Sequence, residues 1–195
     1  MNVAETIALQ QERTVRWHVQ PPAIEDSETM PEFLALVEKN HLENFNLWHE
    51  EDIARCDDLG AERVRQAKRT IDKHNQQRND YIESIDQYMV EMLEPAEQGC
   101  PLNSETPGMM IDRLSILALK EYHMREEAER KDASDSHRGS CLAKHQVVQR
   151  QIDDLSAALS ALLEEVQAGT RSFRVYFQFK MYNDSQLNPQ LRRAA

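Results

Sequence analysis

Glycine and proline are scarce in this chain, with five Gly and seven Pro among 195 residues. These residues mark the tight turns of sheet-rich proteins, so their scarcity excludes a fold built from many short strands. Strong helix formers such as Glu, Gln, Leu, Ala and Lys are abundant instead. With 40% apolar residues, the chain can bury one sizeable core. The composition predicts an all-α protein.

Cysteine and long apolar runs are also scarce. Cys56, Cys100 and Cys141 are odd in number and widely spaced, which argues against a disulfide framework and a cysteine zinc site. No stretch approaches the roughly 18 apolar residues of a membrane span. The first 20 residues lack the apolar core of a signal peptide. We therefore expect a cytoplasmic protein without a membrane span.

Basic residues are outnumbered by acidic ones, with 23 Lys and Arg against 34 Asp and Glu and a net charge of −11. Binding to the phosphates of nucleic acids depends on Lys and Arg, so we expect no nucleic-acid partner. The basic residues are scattered singly among acids, which leaves no polybasic stripe for a membrane surface. The charge balance is that of an acidic soluble protein.

The N-terminal segment is separated from the rest of the chain by two prolines and an acidic stretch. Residues 2–17 have the pattern of a short helix, which Pro21 and Pro22 must end. The acidic stretch 24–29 then indicates a linker. We interpret residues 1–30 as a peripheral N-terminal arm and linker.

The remaining residues, 31–195, are predicted to form a helical bundle domain. A first long helix over about 31–58 stops near Gly60, and a second over about 61–94 ends at Pro95. Because the turn between them is tight, the two helices should be antiparallel.

Two further helices follow. Thr106 is a favourable N-cap and Pro107 suits the first helical position of the third helix. Apolar residues surround this helix on all sides, which predicts that it is central and enclosed. The fourth helix, over about 140–168, carries a regular apolar stripe that suits bundle packing.

Beyond Gly169 the pattern changes. Phe173, Val175, Phe177 and Phe179 alternate with polar residues as in a strand, but the chain has no second strand candidate to pair with them. We expect a helix or an extended arm that packs these side chains on the bundle, and then a turn-rich tail. The predicted fold is an all-α antiparallel bundle of four or more long helices, with an N-terminal arm and a C-terminal tail.

Polar residues interrupt the apolar faces of the first two long helices. On the first helix they are His41, Asp52 and Arg55. On the second they are Asn75 and Arg78, with Asn79 and Asp86 at the edge of the stripe. These positions predict that Asp52, Arg55, Asn75 and Arg78 are mostly buried. Burying such groups is costly unless they are paired, so they form either a structural network or a binding site.

The first helix offers catalytic candidates. His49 and Asp52 lie one helical turn apart, so with Glu50 they can perform acid–base chemistry or share a divalent metal. Arg55 lies one turn further on and can hold a phosphate or carboxylate. We name His49, Glu50 and Asp52 as catalytic candidates. The alternative is that Asp52 and Arg55 form a buried ion pair that fixes the helix register.

The second helix offers binding candidates. Antiparallel pairing places Asn75, Arg78 and Asn79 opposite His41, while Arg55 lies nearer the turn, so two polar layers are expected. A further hypothesis is that both segments line one pocket in which the two arginines clamp an anion. We name His41, Arg55, Asn75, Arg78 and Asn79 as binding candidates, although a lone core histidine such as His41 is more often structural. No particular metal or cofactor is specified.

Four strings in order along the chain carry a family resemblance. They are LWHEEDIAR at 47–55, IDKHNQQRN at 71–79, ETPG with IDRLSIL within 105–117, and KMYND at 180–184. The chain resembles, over about residues 34–191, the bacterial domain of unknown function 4254, and the N-terminal arm has no counterpart in that resemblance. The resemblance implies an all-helical bacterial protein, often encoded near genes for surface polysaccharides and glycosyltransferases, with no assigned activity.

Two classes of function follow. The first is an enzyme or binding protein for an anionic sugar-linked or phosphorylated small molecule, in the surface polysaccharide biosynthesis that the resemblance implies. The second is a non-catalytic helical interaction protein that partners a glycosyltransferase or self-associates, for example as a homodimer. The number of His, Asn, Arg and acidic residues on inward faces favours the first class, and the sequence does not decide whether the chain is an enzyme.

Overall fold

Five long helices dominate the structure, a computed structural model that describes residues 2–24, 30–177 and 186–192. They are α1 (Val3–Val19), α2 (Glu32–Ile53), α3 (Ala61–Leu93), α4 (Pro107–Glu129) and α5 (Asp135–Gln167). A 3-10 turn at Asp57–Leu59 precedes α3, and a short helix α6 spans Pro189–Arg192. The described residues contain no strand, and none of their helices combines the length and apolarity needed to cross a bilayer. The predicted all-α bundle is confirmed.

Helix α4 lies at the centre of the bundle, in contact with α1, α2, α3 and α5. It begins as predicted, because the Thr106 hydroxyl accepts a hydrogen bond from the Met109 backbone N–H at 3.2 Å and Pro107 occupies the first turn. Its buried apolar side chains are Met110, Ile111, Leu114, Leu117, Ala118 and Leu119. A helix that is apolar around its circumference needs partners on every side, and α4 has them.

Helices α2 and α3 form the predicted antiparallel pair, but α2 ends at Ile53 rather than near residue 58. Asp57 and Asp58 instead begin the separate 3-10 turn before α3. Acidic side chains are favourable there, because the N-terminal end of a helix carries positive charge. The chain turns there, and Gly60 adopts a positive φ of 84° before α3 begins.

Helix α1 packs against α4 and α2. The sequence indicated a peripheral arm, but Trp17 is buried against Phe45, and the polar side chains of Gln10, Arg13 and Thr14 are buried as well. The buried face of α1 is largely polar, so apolar periodicity does not reveal it. Residues 25–29 of the predicted linker lie outside the described residues, and the division of the chain at residue 30 stays a prediction.

Helix α5 begins earlier than predicted. Ser134 caps it by accepting a hydrogen bond from the His137 backbone N–H, so Gly139 lies inside the helix. The buried positions follow a strict three-four spacing, which is the heptad pattern of bundle packing. They are Cys141, His145, Val148, Ile152, Leu155, Leu159, Leu162 and Val166.

The segment after α5 is extended, one of the two outcomes expected from its alternation. Ser172 pairs with the loop before α4, donating its N–H to Pro101 O at 3.0 Å, and Phe173 is buried in the core. Phe177, by contrast, is exposed. Phe179 and the string at 180–184 lie outside the described residues.

The start of α4 is anchored by Asp86 of α3, which is buried rather than at the edge of its stripe. Its carboxylate accepts hydrogen bonds from the Thr106 hydroxyl at 2.5 Å and from the Gly108 backbone N–H at 2.6 Å. These bonds satisfy donors at a helix N-terminus, where negative charge is favourable. Asp86 therefore fixes α4 against α3.

Asp86 is expected to make stability depend on pH. Burial raises the pKa of Asp86 from 3.8 to about 6, against the opposing effect of the hydrogen bonds from Thr106 and Gly108. Because the folded state holds the proton more tightly, this contribution to stability is complete below about pH 4 and is lost as pH rises through about 6. Urea unfolding at pH 4, 5, 6 and 7 should show that Asp86→Asn removes this decline relative to wild type. Asp80→Asn, at an exposed site on α3, should leave the decline of stability with pH unchanged. If the free energy of unfolding depends on pH equally in both variants, Asp86 is not the group responsible.

Candidate functional site

A cavity of about 380 Å³ between α2, α3 and α4 brings together half of the predicted site residues. Four of them line it: Asp52, Arg55, Asn75 and Arg78. The other lining residues are Asn44, Leu47, Trp48, Glu51, Ile116 and Leu119. Four predicted residues do not line it: His41, His49, Glu50 and Asn79. The functional role of all eight stays a prediction.

The cavity is elongated along α2. Asn44 and Asp52 both line it although they are eight residues apart on α2, a distance of about 12 Å along the helix. Arg78 lies at the Asn44 end, because its backbone carbonyl is 3.5 Å from Asn40 Nδ2. The two expected polar layers are therefore the two ends of one cavity. Arg55 and Arg78 line opposite ends of the cavity, and a clamp of both on a single anion stays a prediction.

The outer end of the cavity is not buried as the apolar stripe suggested. The Arg55 side chain is 67% exposed and pairs with Glu51 at 2.9 Å, and Asp52 is exposed. The predicted burial of Asp52 and Arg55, and the ion pair between them, are wrong. Because α2 ends at Ile53, the helical spacing that would place Arg55 on the apolar face does not apply there.

The inner end of the cavity is held by Asp112, which is buried on α4. Its Oδ1 accepts hydrogen bonds from Arg78 Nε at 2.9 Å, Asn44 Nδ2 at 2.8 Å and Asn40 Nδ2 at 3.0 Å. Arg78 Nη1 is 3.5 Å from Asn75 Oδ1, and no hydrogen bond among the described residues uses Nη2. Arg78 and Asn75 are half-buried. A fixed guanidinium with spare donors thus lines the cavity.

His41 continues this network towards α1. Its Nδ1 is 2.7 Å from Ser115 Oγ, and its Nε2 is 3.0 Å from the Thr14 hydroxyl, which itself donates to the carbonyl of Gln10. Nε2 therefore carries the proton and Nδ1 accepts one from Ser115. Burial lowers the pKa of His41 to about 3, so the ring stays neutral. His41 is a satisfied core histidine, the structural alternative that the sequence allowed.

His49 and Glu50 have separate surroundings. Glu50 forms an ion pair with Arg63 of α3 at 3.4 Å. His49 instead meets His18 of α1 and His123 of α4. One potential ligand atom from each of these three half-buried histidines lies within 4.8 Å of the others. We call this group the three-histidine cluster.

Aromatic rings enclose the three-histidine cluster. Trp48 stacks on His123 with a centroid distance of 4.9 Å and an interplanar angle of 9°, and Tyr122 stacks on His18 at 4.0 Å and 18°. Burial lowers the pKa of His123, and the neighbouring His18 adds to this effect. The neutral imidazole is the form of histidine that binds metal ions.

A second group with metal-binding potential lies one turn beyond His123, where Glu127 of α4 and His137 and Cys141 of α5 also lie within 4.8 Å of one another. The Nε2 atom of His137 already has two partners in this group, a carboxylate oxygen of Glu127 at 2.7 Å and the thiol of Cys141 at 3.4 Å. The hydrogen bond from His137 lowers the pKa of Glu127. This group satisfies itself without an ion.

Sequence reasoning named His49 but missed His18 and His123. A signal was present, because each member of the cluster directly follows an aromatic residue: Trp17-His18, Trp48-His49 and Tyr122-His123. The other four histidines follow Asn40, Lys73, Ser136 and Lys144. A repeated aromatic–histidine pair on three helices indicates rings packed together at one place.

Comparison with known proteins identifies the family. No curated protein and no solved structure matches the chain. The model of the family described as "Protein of unknown function (DUF4254)" matches residues 34–175, which include His49 and His123, the lining of the cavity and all of α3, α4 and α5. The match extends over more than half of the chain, and the protein therefore belongs to the DUF4254 family.

Proposed function

We propose that this protein binds an elongated anionic small molecule, phosphorylated or sugar-linked, in the cavity between α2, α3 and α4. The observation that carries the proposal is the Arg78 guanidinium, which Asp112 and Asn75 hold in place at the cavity wall. A planar guanidinium recognises phosphate and carboxylate groups through paired N–H donors. Because its position is fixed in advance, little side-chain entropy is lost when a ligand binds.

The rest of the lining supports a ligand with both polar and apolar parts. Trp48, with Ile116 and Leu119, offers an apolar surface for a ring, and Asn44 and Asn75 offer amide groups. Arg55 at the outer end of the cavity can bind a second anionic group of the ligand. The lining also contains two carboxylates, which can accept hydrogen bonds from sugar hydroxyls.

The proposal concerns binding rather than a particular reaction. Of the three catalytic candidates only Asp52 lines the cavity, whereas His49 and Glu50 do not. A role in surface polysaccharide biosynthesis is part of the proposal and has its support in the family resemblance alone. The non-catalytic interaction protein remains the alternative that the binding experiment must distinguish.

A ligand screen tests this function. The purified protein is heated with inorganic phosphate, sugar phosphates, nucleoside diphosphate sugars and the matching unphosphorylated sugars. A true ligand at 100 times its Kd stabilises the folded state by about 2.7 kcal/mol, which raises the Tm of a chain of this size by several degrees. We expect phosphorylated compounds, and not their neutral counterparts, to give this shift.

Arg78→Lys is the variant that links binding to the cavity. Lysine keeps the positive charge beside Asp112 but loses the planar pair of donors, so we expect the Kd measured by calorimetry to rise by about tenfold or more. Arg65→Lys is the matched control, because Arg65 is exposed on the same helix and pairs with Glu62. If no compound stabilises the wild type, or if Arg78→Lys binds as tightly as wild type, the proposal is wrong. Self-association in sedimentation experiments would then favour the interaction protein.

A further inference from the structure

We propose that His18, His49 and His123 bind one divalent transition-metal ion of the zinc class. This site is separate from the cavity. Trp48 lies between the two, because it lines the cavity and also stacks on His123. The three ligands come from α1, α2 and α4, which pack against one another. An ion here would join three helices that are distant in sequence.

The hydrogen bonds of the three rings leave the same nitrogen available in each. Nδ1 of His18 is 2.6 Å from the carbonyl of Thr14, and Nδ1 of His49 is 2.8 Å from the carbonyl of Phe45. A carbonyl only accepts, so both Nδ1 atoms carry the proton and both Nε2 atoms keep a lone pair. Nδ1 of His123 is 3.0 Å from the carboxylate of Glu126, which imposes the same form.

These contacts are the supporting interactions that metal-bound histidines make in known sites. A ligating histidine almost always donates its other N–H to a carbonyl, a carboxylate or water, which fixes the tautomer and the ring orientation. Here two backbone carbonyls and one carboxylate accept the hydrogen bonds from the Nδ1 atoms. All three rings are therefore prepared for ligation through Nε2.

Two of these nitrogens lack the partners that buried polar atoms normally have. Nε2 of His18 and Nε2 of His123 are inaccessible to solvent and have no hydrogen-bond partner among the described residues. Orphaned buried polar atoms are uncommon and costly in folded proteins. Two orphaned lone pairs within one group of three histidines are accounted for together if an ion takes both.

The spacing is close to that of a metal site. One ring nitrogen from each of the three histidines lies within 4.8 Å of the other two. Zinc–nitrogen bonds of 2.0–2.1 Å in tetrahedral geometry place ligand nitrogens about 3.3 Å apart. The 4.8 Å limit exceeds this spacing by about 1.5 Å, and the proposal requires the side chains to rotate by that amount when an ion binds.

The donor set limits the choice of ion. Three imidazole nitrogens suit zinc, and also cobalt, nickel and copper, whereas magnesium and calcium prefer oxygen ligands. Structural zinc sites usually have four protein ligands, while sites with three keep a position for water or another ligand. The cluster is therefore the type of site that leaves one coordination position open.

Metal titration tests the site in the whole 195-residue chain. Protein stripped with a chelator is titrated with Zn²⁺ against a competing chromophoric chelator, and with Co²⁺ while the visible absorption is recorded. We expect one equivalent to bind, with the visible bands of tetrahedral Co²⁺. His18→Asn, His49→Asn and His123→Asn should each weaken zinc binding by more than about 100-fold, because each removes a ligand and not merely a supporting contact.

Two matched control variants test whether the bound ion lies in the three-histidine cluster. Glu126→Gln weakens only the supporting contact to His123 and should cost about tenfold in affinity. His137→Gln, in the self-satisfied group with Glu127 and Cys141, should leave zinc binding unchanged. Loss of binding in His137→Gln with retention in the cluster variants would place the ion elsewhere and overturn the proposal.

A further variant and a measurement on the wild type do not depend on how well the asparagine variants fold. His123→Cys keeps a ligand in place and should add a thiolate-to-cobalt charge-transfer band in the near ultraviolet. X-ray absorption of the zinc-loaded wild type should show three imidazole ligands and no sulfur. Absence of stoichiometric binding, or sulfur in the wild-type shell, would show that the cluster is only a packed group of rings.

Discussion

Replacing Asp112 with alanine is expected to lower the free energy of unfolding by about 3 kcal/mol or more, because breaking a buried charged pair strands its partners. Asp112 Oδ1 is the shared acceptor for Arg78, Asn40 and Asn44, and both asparagines are buried. Alanine leaves all three donors without that acceptor. Urea unfolding monitored by circular dichroism measures the loss.

Arg55→Ala is the matched control for Asp112→Ala. Arg55 is exposed and pairs with Glu51 one turn earlier along the chain, and such surface pairs contribute about 0–1 kcal/mol. The sequence alone predicted that Arg55 is buried, because its position continues an apolar stripe, and a buried arginine would give a large effect. Equal losses in the two variants, or an Asp112→Ala protein as stable as wild type, would contradict the assigned network.

The helices could be predicted from the sequence because their limits depend on local chemistry. Thr106 and Pro107 act within one turn to start α4, and Gly60 and Pro95 mark the two ends of α3 without help from distant residues. The main error, the end of α2, came from extending a periodic pattern past Asp57 and Asp58. Helix ends depend on charge and capping as well as on apolar spacing.

The packing of α1 could not be predicted in this way. Its inward face carries Gln10, Arg13 and Thr14, which are polar by sequence and buried in the structure. The charge of buried Arg13 is compensated by Glu38 of α2, which is also buried and accepts a hydrogen bond from Arg13 Nε. A partner 25 residues away on another helix is not visible in a local pattern.

The candidate site was only partly predictable for the same reason. Arg78 and Asn75 stood out because they interrupt an apolar stripe, and both line the cavity. Their anchor Asp112 did not stand out, because its burial follows from the central position of α4. The three-histidine cluster forms where three helices meet, so only the fold identifies His18 and His123 as candidate ligands.

Gly108→Ala is expected to destabilise the protein by about 3 kcal/mol or more, since it combines overpacking with disruption of a buried hydrogen bond. A Cβ at this position would lie 2.5 Å from the carbonyl oxygen of Ile82 and 2.7 Å from Asp86 Oδ1. Neither neighbour can yield easily, because the first is helix backbone and the second bonds to the Gly108 N–H itself. The start of α4 must therefore move away from α3.

Gly139→Ala provides the opposite result within the same chain. Gly139 lies in α5, and a Cβ there meets no atom within 4 Å. Alanine should raise the free energy of unfolding by about 0.5–1 kcal/mol, because it reduces the freedom of the unfolded chain and favours the helix. Urea unfolding of both variants measures the contrast. A Gly108→Ala protein as stable as Gly139→Ala would mean that α3 and α4 do not approach as closely as the Ile82 and Gly108 backbones indicate.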